Sequence, residues 1–201
     1  NIGLANQFAR FAQSAEIDIY KVIEACNSQP YSQIHLPGIA VGGHCIPVYP
    51  RLYLHNDPDA SVVSAAREMN QGMPKYAVNL LEDHLGSLSD LRVAVFGISY
   101  RGGVKESAFS GVFDVVKYLD LLGARVSAYD PMYSEDEIRN YGWDPFKMGS
   151  EVDALIIQAD HEEFRDLNQD LFPGLRAVVD GRNIISPSSF EGISVLKIGA
   201  P

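Results

Sequence analysis

Cysteine and tryptophan are nearly missing from this chain, with two of the first and one of the second among 201 residues. Two thiols cannot build a disulfide framework, and Cys26 and Cys45 stand in no paired metal-ligand spacing, so neither a stapled scaffold nor a bound metal is expected. A reducing, cytoplasmic setting is the expectation that follows. Basic residues are also short. Sixteen Lys and Arg face 26 Asp and Glu, a formal net charge of −10, which argues against nucleic-acid partners and against a membrane surface. An anionic ligand would need local cations and backbone amides to overcome the overall field. No apolar run is long enough to cross a bilayer, and no signal peptide is recognisable. No G-x-G-x-x-G follows an apolar run anywhere, so the usual dinucleotide fingerprint is lacking.

What is present centres on Pro37-Gly38-Ile39-Ala40-Val41-Gly42-Gly43-His44-Cys45-Ile46-Pro47-Val48-Tyr49-Pro50. No helix or strand reads through that spacing of glycine and proline, so a shaped loop is predicted there, running to about Asp57. Glycines let backbone approach a ligand closely, and prolines fix the path of the chain. Cys45 has two readings on residue type alone: a small buried apolar side chain, or a thiol placed for chemistry.

Around the loop, helical spacing is read over residues 1–15 (Ile2, Leu4, Ala5, Phe8, Ala9, Phe11, Ala12), over 18–25, and over 58–85, where Pro74 is expected to kink or divide the helix. Gly86 to Asp90 breaks the pattern and marks a boundary, giving segments 1–88 and 89–201. Beyond it the period changes. Arg92–Ile98, Val126–Pro131, Val152–Ile157, Ala177–Asp180 and Val195–Ile198 read as short buried strands, separated by helices over 113–122, 134–140 and 161–167. That alternation predicts an α/β architecture: a helical central segment followed by a doubly wound parallel sheet. Ligands of such sheets bind beyond the carboxyl ends of the strands, so Ser99–Ser107, Asp130-Pro131, Gln158–His161 and Asp180–Asn183 are expected to line one crevice.

These residues resemble a known family. Pro37-Gly38 with Val41-Gly42-Gly43-His44-Cys45-Ile46-Pro47-Val48 is similar to the active-site loop of nucleotide-sugar 6-dehydrogenases, the UDP-glucose/GDP-mannose dehydrogenase family. The opening Asn1–Gln7 resembles that family's long central helix. Gly97-Ile98-Ser99-Tyr100-Arg101, Lys105-Glu106-Ser107, Tyr129-Asp130-Pro131 and Asp180-Gly181-Arg182-Asn183 match further motifs in order and spacing. The resemblance implies a helical central and dimerisation domain over 1–88, carrying the cysteine loop, and a Rossmann-like UDP-binding domain over 89–201. It also implies a homodimer through the helical part, and NAD as cofactor, bound mainly by a domain that this sequence does not contain. On that basis the sequence reads as a piece of a longer chain, inactive by itself.

Carried over residue by residue, the resemblance makes Cys45 the catalytic nucleophile and assigns the UDP-sugar to His35, Leu36, Gly42, Gly43, Tyr100, Arg101 and Arg182, with Lys105 reaching toward NAD. Leu36 reads equally as packing, Arg182 as a surface arginine near a turn, and Lys105-Glu106 as a solvated loop pair. Cys26 is expected to pack, and His44 to be structural or substrate-facing, because adjacent residues on an extended loop point opposite ways. The sequence departs from the family at Tyr49, where an aspartate is usual, and at Tyr31, where an arginine is usual. The implied activity is oxidation of a sugar C6 alcohol to a carboxylate, on a UDP-N-acetylhexosamine or UDP-glucose, through a cysteine thiohemiacetal and thioester. The competing readings are a nucleotide-sugar-binding and dimerisation module without catalysis, and a cysteine hydrolase built on Cys45.

Overall fold

A computed structural model describes all of residues 1–201. The amino-terminal part is helical. α1 (Ile2–Ser14) buries its small side chains, Gly3, Ala5, Ala9 and Ala12, together with Asn6. Small residues let it lie close against a long neighbour: a methyl placed on Gly3 would sit 2.6 Å from the Ala66 carbonyl oxygen. α2 (Ile19–Asn27) is started by Asp18, whose carboxylate accepts from the Tyr20 and Lys21 amides. The loop of residues 28–48 then leads into α3 (Tyr49–Asn56), a short helix where the sequence predicts continuing loop. Proline near its amino end costs no helical hydrogen bond, so Pro50 opens a turn here rather than ending one.

α4 spans Ser61–Leu85 without interruption. The expected division at Pro74 does not occur. Pro74 is buried on the helix's packed side, and Met73, Ala77 and Leu81 beside it are fully buried, so tertiary contacts hold the helix through the missing amide.

The remainder is the predicted α/β unit. β1 (Arg92–Phe96), β2 (Arg125–Tyr129), β3 (Asp144-Pro145), β4 (Ala154–Ile157), β5 (Ala177–Asp180) and β6 (Ser194–Lys197) form one sheet in the order β3-β2-β1-β4-β5-β6. Every pairing is parallel, with Val95 opposite Ala128 and Ile156. This is the strand order of a dinucleotide-type doubly wound sheet, with its switch point between β1 and β4. The two-residue β3 is too short to leave a pattern in the sequence. α5 (Val112–Leu121) follows β1, and α6 (Glu135–Asn140) follows β2 with a capping box between Ser134 and Glu137.

The two faces of the sheet are covered differently. Val93, Val95, Ala154, Ile156, Ala177 and Val179 belong to one apolar cluster with Met73 and Leu81 of α4, Val112 and Leu119 of α5, and Ala9, Ile19 and Ile23 of α1 and α2. Ala94, Phe96, Leu155, Ile157 and Val178 face the other way, onto Phe146, Phe164, Phe172 and Phe190. The cover on that side is short 3-10 turns, including Glu162–Asp166, where the sequence predicts a helix. Its bulk comes from aromatic rings grouped on Phe96, with centroids 5.4 Å away at Phe164 and 5.5 Å at Phe146.

The core therefore runs continuously from the helical segment into the sheet, and Leu88, at the predicted boundary, is part of it. The carboxyl end closes the same seam. The Gly199 carbonyl accepts from the Ile19 amide at 2.8 Å, and the Ile198 carbonyl accepts from the Tyr20 hydroxyl at 3.0 Å.

Candidate active site

The loop of residues 37–48 lies over the carboxyl ends of β1, β4 and β5, and buried polar groups hold it there. The Asn6 side-chain oxygen accepts from the Gly38 amide at 3.0 Å, and the Asn70 oxygen accepts from the Val41 amide at 3.0 Å. Asn6 is 1% exposed and Asn70 6%. A buried amide left unpaired costs as much as a lost hydrogen bond, so one carboxamide on α1 and one on α4 fix the entrance of the loop. Ile39, fully buried, is its anchor: a methyl on Gly181 would strike the Ile39 side chain at 2.4 Å, and one on Gly111 would meet its carbonyl at 2.7 Å. Glycine at 111 and 181 is what lets the anchor seat.

Arg182 clamps the same stretch. Its Nε donates to the Gln158 carbonyl at 2.6 Å and its Nη2 to the Ala40 carbonyl at 3.2 Å, and Nη1 abuts Gly38. Burial pulls the guanidinium below its ordinary pKa, while Asp160, Tyr20 and Asp180 draw it back. Ala40 adopts a positive φ of 62° between those contacts. In this structure Arg182 bridges the end of β4 and the loop backbone, a position the surface-arginine reading does not describe.

Beyond Ala40 the loop turns outward. Gly42 lies so close to β1's following loop that a methyl there would sit 2.5 Å from Tyr100 Cβ and 2.8 Å from the Phe109 carbonyl oxygen. Gly43, at φ +86°, donates its amide to the Ala108 carbonyl at 2.7 Å and faces the Tyr100 ring. Arg101 stands over that ring, 5.8 Å from its centroid, with Nε 3.3 Å from the Tyr100 hydroxyl. Gly42, Gly43, Tyr100 and Arg101, predicted from two distant segments, are thus neighbours.

His44 pairs with a carboxylate across the loop. Its Nε2 lies 3.1 Å from Glu106 Oε2, and Glu106 Oε1 accepts from the Ala108 amide at 2.9 Å. The bond from His44, with help from the Ala108 amide, holds the Glu106 carboxyl below its usual range. Lys105 is not Glu106's partner: its ammonium reaches Glu137 Oε1 at 2.6 Å and stands over the Tyr133 ring, and Glu137 is drawn down to about 2.

Cys45 is an exposed free thiol, so it is not a buried apolar side chain. Its carbonyl accepts from the Val48 and Tyr49 amides at 3.1 and 2.9 Å, which fixes its backbone at the entry to α3. Tyr49, in the position of the usual aspartate, is the first residue of α3 and 63% exposed. Cys26 is exposed as well, which corrects its expected packing role. His35 and Leu36 are both exposed; His35 borders a cavity of about 340 Å³ with Asn1, Ile2, Ile46 and Val62.

Below the loop, the predicted crevice segments do converge. Asp130 is completely buried. Its carboxylate accepts from the Ile98, Ser99 and Met132 amides at 2.8 to 2.9 Å and from His161 Nε2 at 3.1 Å. Burial alone would raise the Asp130 pKa; His161 and the Ser99 and Met132 amides outweigh burial and leave it lowered. Gly102 donates its amide to Asp160 Oδ1 at 2.8 Å.

Sequence reasoning missed Asn6, Asn70, Ile39 and the partnership of Glu106 with His44. The asparagines did leave a signal, each a polar residue on the apolar face of a helical pattern. The His44–Glu106 pair, 62 positions apart, left none.

Comparison with known proteins bears on the whole chain. Residues 1–72 match the central domain of the UDP-glucose/GDP-mannose dehydrogenase family, and residues 94–187 match its UDP-binding domain. The UDP-N-acetyl-D-mannosamine dehydrogenase of Pyrococcus horikoshii is 35% identical over 92% of this chain and 45% of its own length. A solved structure of the UDP-D-ManNAc dehydrogenase from Pyrococcus horikoshii superposes with a TM-score of 0.84 at 32% identity, covering 98% of this chain and 48% of that one. A UDP-glucose dehydrogenase from Pyrobaculum islandicum, 24% identical, shares the fold at a TM-score of 0.87 over all of this chain and 48% of its own. The chain spans about half the length of the curated relatives it matches. With its helical part and its sheet matching the two successive domains of one family, this chain belongs to the UDP-glucose/GDP-mannose dehydrogenase family.

Proposed function

We propose that these residues form the substrate-binding and covalent part of an NAD-dependent UDP-sugar 6-dehydrogenase, with Cys45 as its nucleophile. The observation that carries the reading is the placement of Cys45: a free, exposed thiol with a fixed backbone, on a loop whose Gly42 and Gly43 are pressed against Tyr100. The Cys45 sulfur adds to the C6 aldehyde, forming the C–S bond while a proton goes to the oxygen, and a thiohemiacetal results. After oxidation to the thioester, water attacks the acyl carbon, the C–S bond breaks, the thiolate leaves, and the acid is released as its carboxylate. A serine ester at this position would be cleaved less readily.

NAD is the oxidant in this reading. These residues do not fit a dinucleotide: at the β1/β4 switch point Gly97 packs on Ala159 and Gly102 on Asp160, and Lys105 is held by Glu137. No step through the cofactor is assigned to them. Arg101 and Tyr100 offer a cation and a ring for the UDP group, and Arg182 holds the loop from beneath. We divide the chain at residue 88 into the helical segment and the UDP-binding unit. Leu4, Phe8 and Phe11 form an exposed stripe on α1 at helical spacing, consistent with a homodimer through the helices.

No helix is long and apolar enough to cross a membrane. The names of the similar proteins make UDP-N-acetylmannosamine the first substrate to try, ahead of UDP-glucose. Tyr49, standing where the family usually has an aspartate, favours a second reading: a binding module without catalysis.

A thermal-shift series with UDP, UDP-N-acetylmannosamine and UDP-glucose tests the binding half of the proposal. A ligand that binds only the native state raises the midpoint. Stabilisation by UDP compounds that is lost in Arg101→Gln is expected. Equal stabilisation of Arg101→Gln by UDP would remove Arg101 from the site.

A further inference from the structure

A second cavity, of about 310 Å³, opens between α3, α4 and the loop that follows β1. Arg51 of α3 and Arg67 of α4 both line it, with Gln71, Phe109, Ser110 and Asp114. Neither arginine is matched by an acid. Burial lowers the Arg67 pKa, and the positive charge of Arg51 lowers it further; no carboxylate contributes an opposing pull. Asp114, the cavity's own acid, pairs with neither. The Arg51 guanidinium instead rests on the Phe109 ring, 5.6 Å from its centroid. Phe109 is itself anomalous: an aromatic residue at φ 53°, in the left-handed region, and 47% exposed. Strained backbone that presents a side chain persists where the surroundings over-determine it, as they do at binding sites.

Two like charges lining one cavity repel, and a chain with ten more acids than bases has carboxylates enough to neutralise both. We propose that Arg51 and Arg67 form a binding site for an oxyanion, a phosphate or a carboxylate group, with Phe109 as the platform that aims Arg51. Guanidinium groups bind both groups through paired N–H donors, and a partly desolvated cavity strengthens each bond. Asn70 ties this site to the catalytic loop, because its side chain holds the Val41 amide and both residues line the cavity. Arg101, the cation assigned to UDP, is not among its walls. The site is therefore additional to the proposed UDP group.

Isothermal titration at constant ionic strength, with inorganic pyrophosphate and with glucuronate as separate probes, tests this on the wild-type chain and on Arg51→Gln, Arg67→Gln and Arg101→Gln. Binding of either probe to wild type and Arg101→Gln alike, weakened at least tenfold in Arg51→Gln and in Arg67→Gln, is the expected result, and the probe that binds identifies the group. Arg51 is exposed, so its variant keeps the test alive if Arg67→Gln fails to fold. Binding of neither probe, binding unchanged in Arg51→Gln, or binding abolished in Arg101→Gln would overturn the proposal. UDP stabilisation in Arg51→Gln is the separating control: if it survives while both probes fail, the oxyanion site falls and the UDP reading stands.

Discussion

Two histidine–carboxylate pairs stand at the same 3.1 Å distance in this molecule and do different work. His161 and Asp130 are sealed beneath the loop, with side chains 1% and 0% exposed. His44 and Glu106 lie at its rim, 69% and 41% exposed. In the first pair Asp130 also takes three backbone amides from the turns after β1 and β2, so removing it strands several buried donors at once. In the second, water replaces whatever is lost. Burial, and not the length of the bond, decides which pair holds the fold and which is free to serve a surface.

The comparison breaks most visibly at Asp130. Asp130→Ala is expected to lower stability by about 4 kcal/mol, because it leaves the Ile98 and Ser99 amides and His161 without an acceptor. Denaturant unfolding measures this, and a loss under about 1 kcal/mol would mean water replaces the carboxylate and the pair is not structural.

Next is the seat of the loop. Asn70→Ala removes the acceptor of the Val41 amide and should cost about 2 kcal/mol. It should also loosen the loop, so alkylation of Cys45 in a Cys26→Ser background would change rate. Unchanged stability together with unchanged alkylation would contradict the anchoring role.

A smaller loss, about 1–2 kcal/mol, is expected for Gly42→Ala, whose methyl must push against Tyr100 and Phe109. Here UDP stabilisation should fall more than the midpoint. A variant that binds UDP as wild type does would show that the contact of Gly42 with Tyr100 does not shape the site.

The smallest effect on stability belongs to the rim. Glu106→Gln should leave the unfolding midpoint in place. Acid sharpens the contrast. The native pKa of Asp130 is lowered, so the unfolded state binds its proton first as pH falls. The stability it contributes is complete above the unfolded carboxylate value, about 4, and is lost as pH drops through the lower native value. Wild type should lose this increment below about pH 4, and Asp130→Asn should not. Parallel acid profiles for the two would contradict the assignment.

Much of this was legible in the sequence because it depends on local pattern. The parallel sheet followed from short apolar runs alternating with helices, since a sheet buried on both faces has no polar side to interrupt it. The thiol loop followed from glycine and proline spacing. α3 was not legible, because Pro47 and Pro50 read as breakers when Pro50 in fact starts a helix. Division of α4 at Pro74 failed in the opposite direction, since the buried neighbours Met73, Ala77 and Leu81 hold the helix through it. The roles of Arg182 and Glu106 depend on partners 142 and 62 residues away, Ala40 and His44, which no local pattern encodes.

The central proposal is that Cys45 is the covalent nucleophile, and NAD reduction assayed in a protein that joins these residues to a dinucleotide-binding domain tests it most directly. With UDP-N-acetylmannosamine as substrate, Cys45→Ala should lose roughly a thousandfold or more in turnover while UDP still stabilises the protein. Turnover within tenfold of wild type in Cys45→Ala would contradict the account.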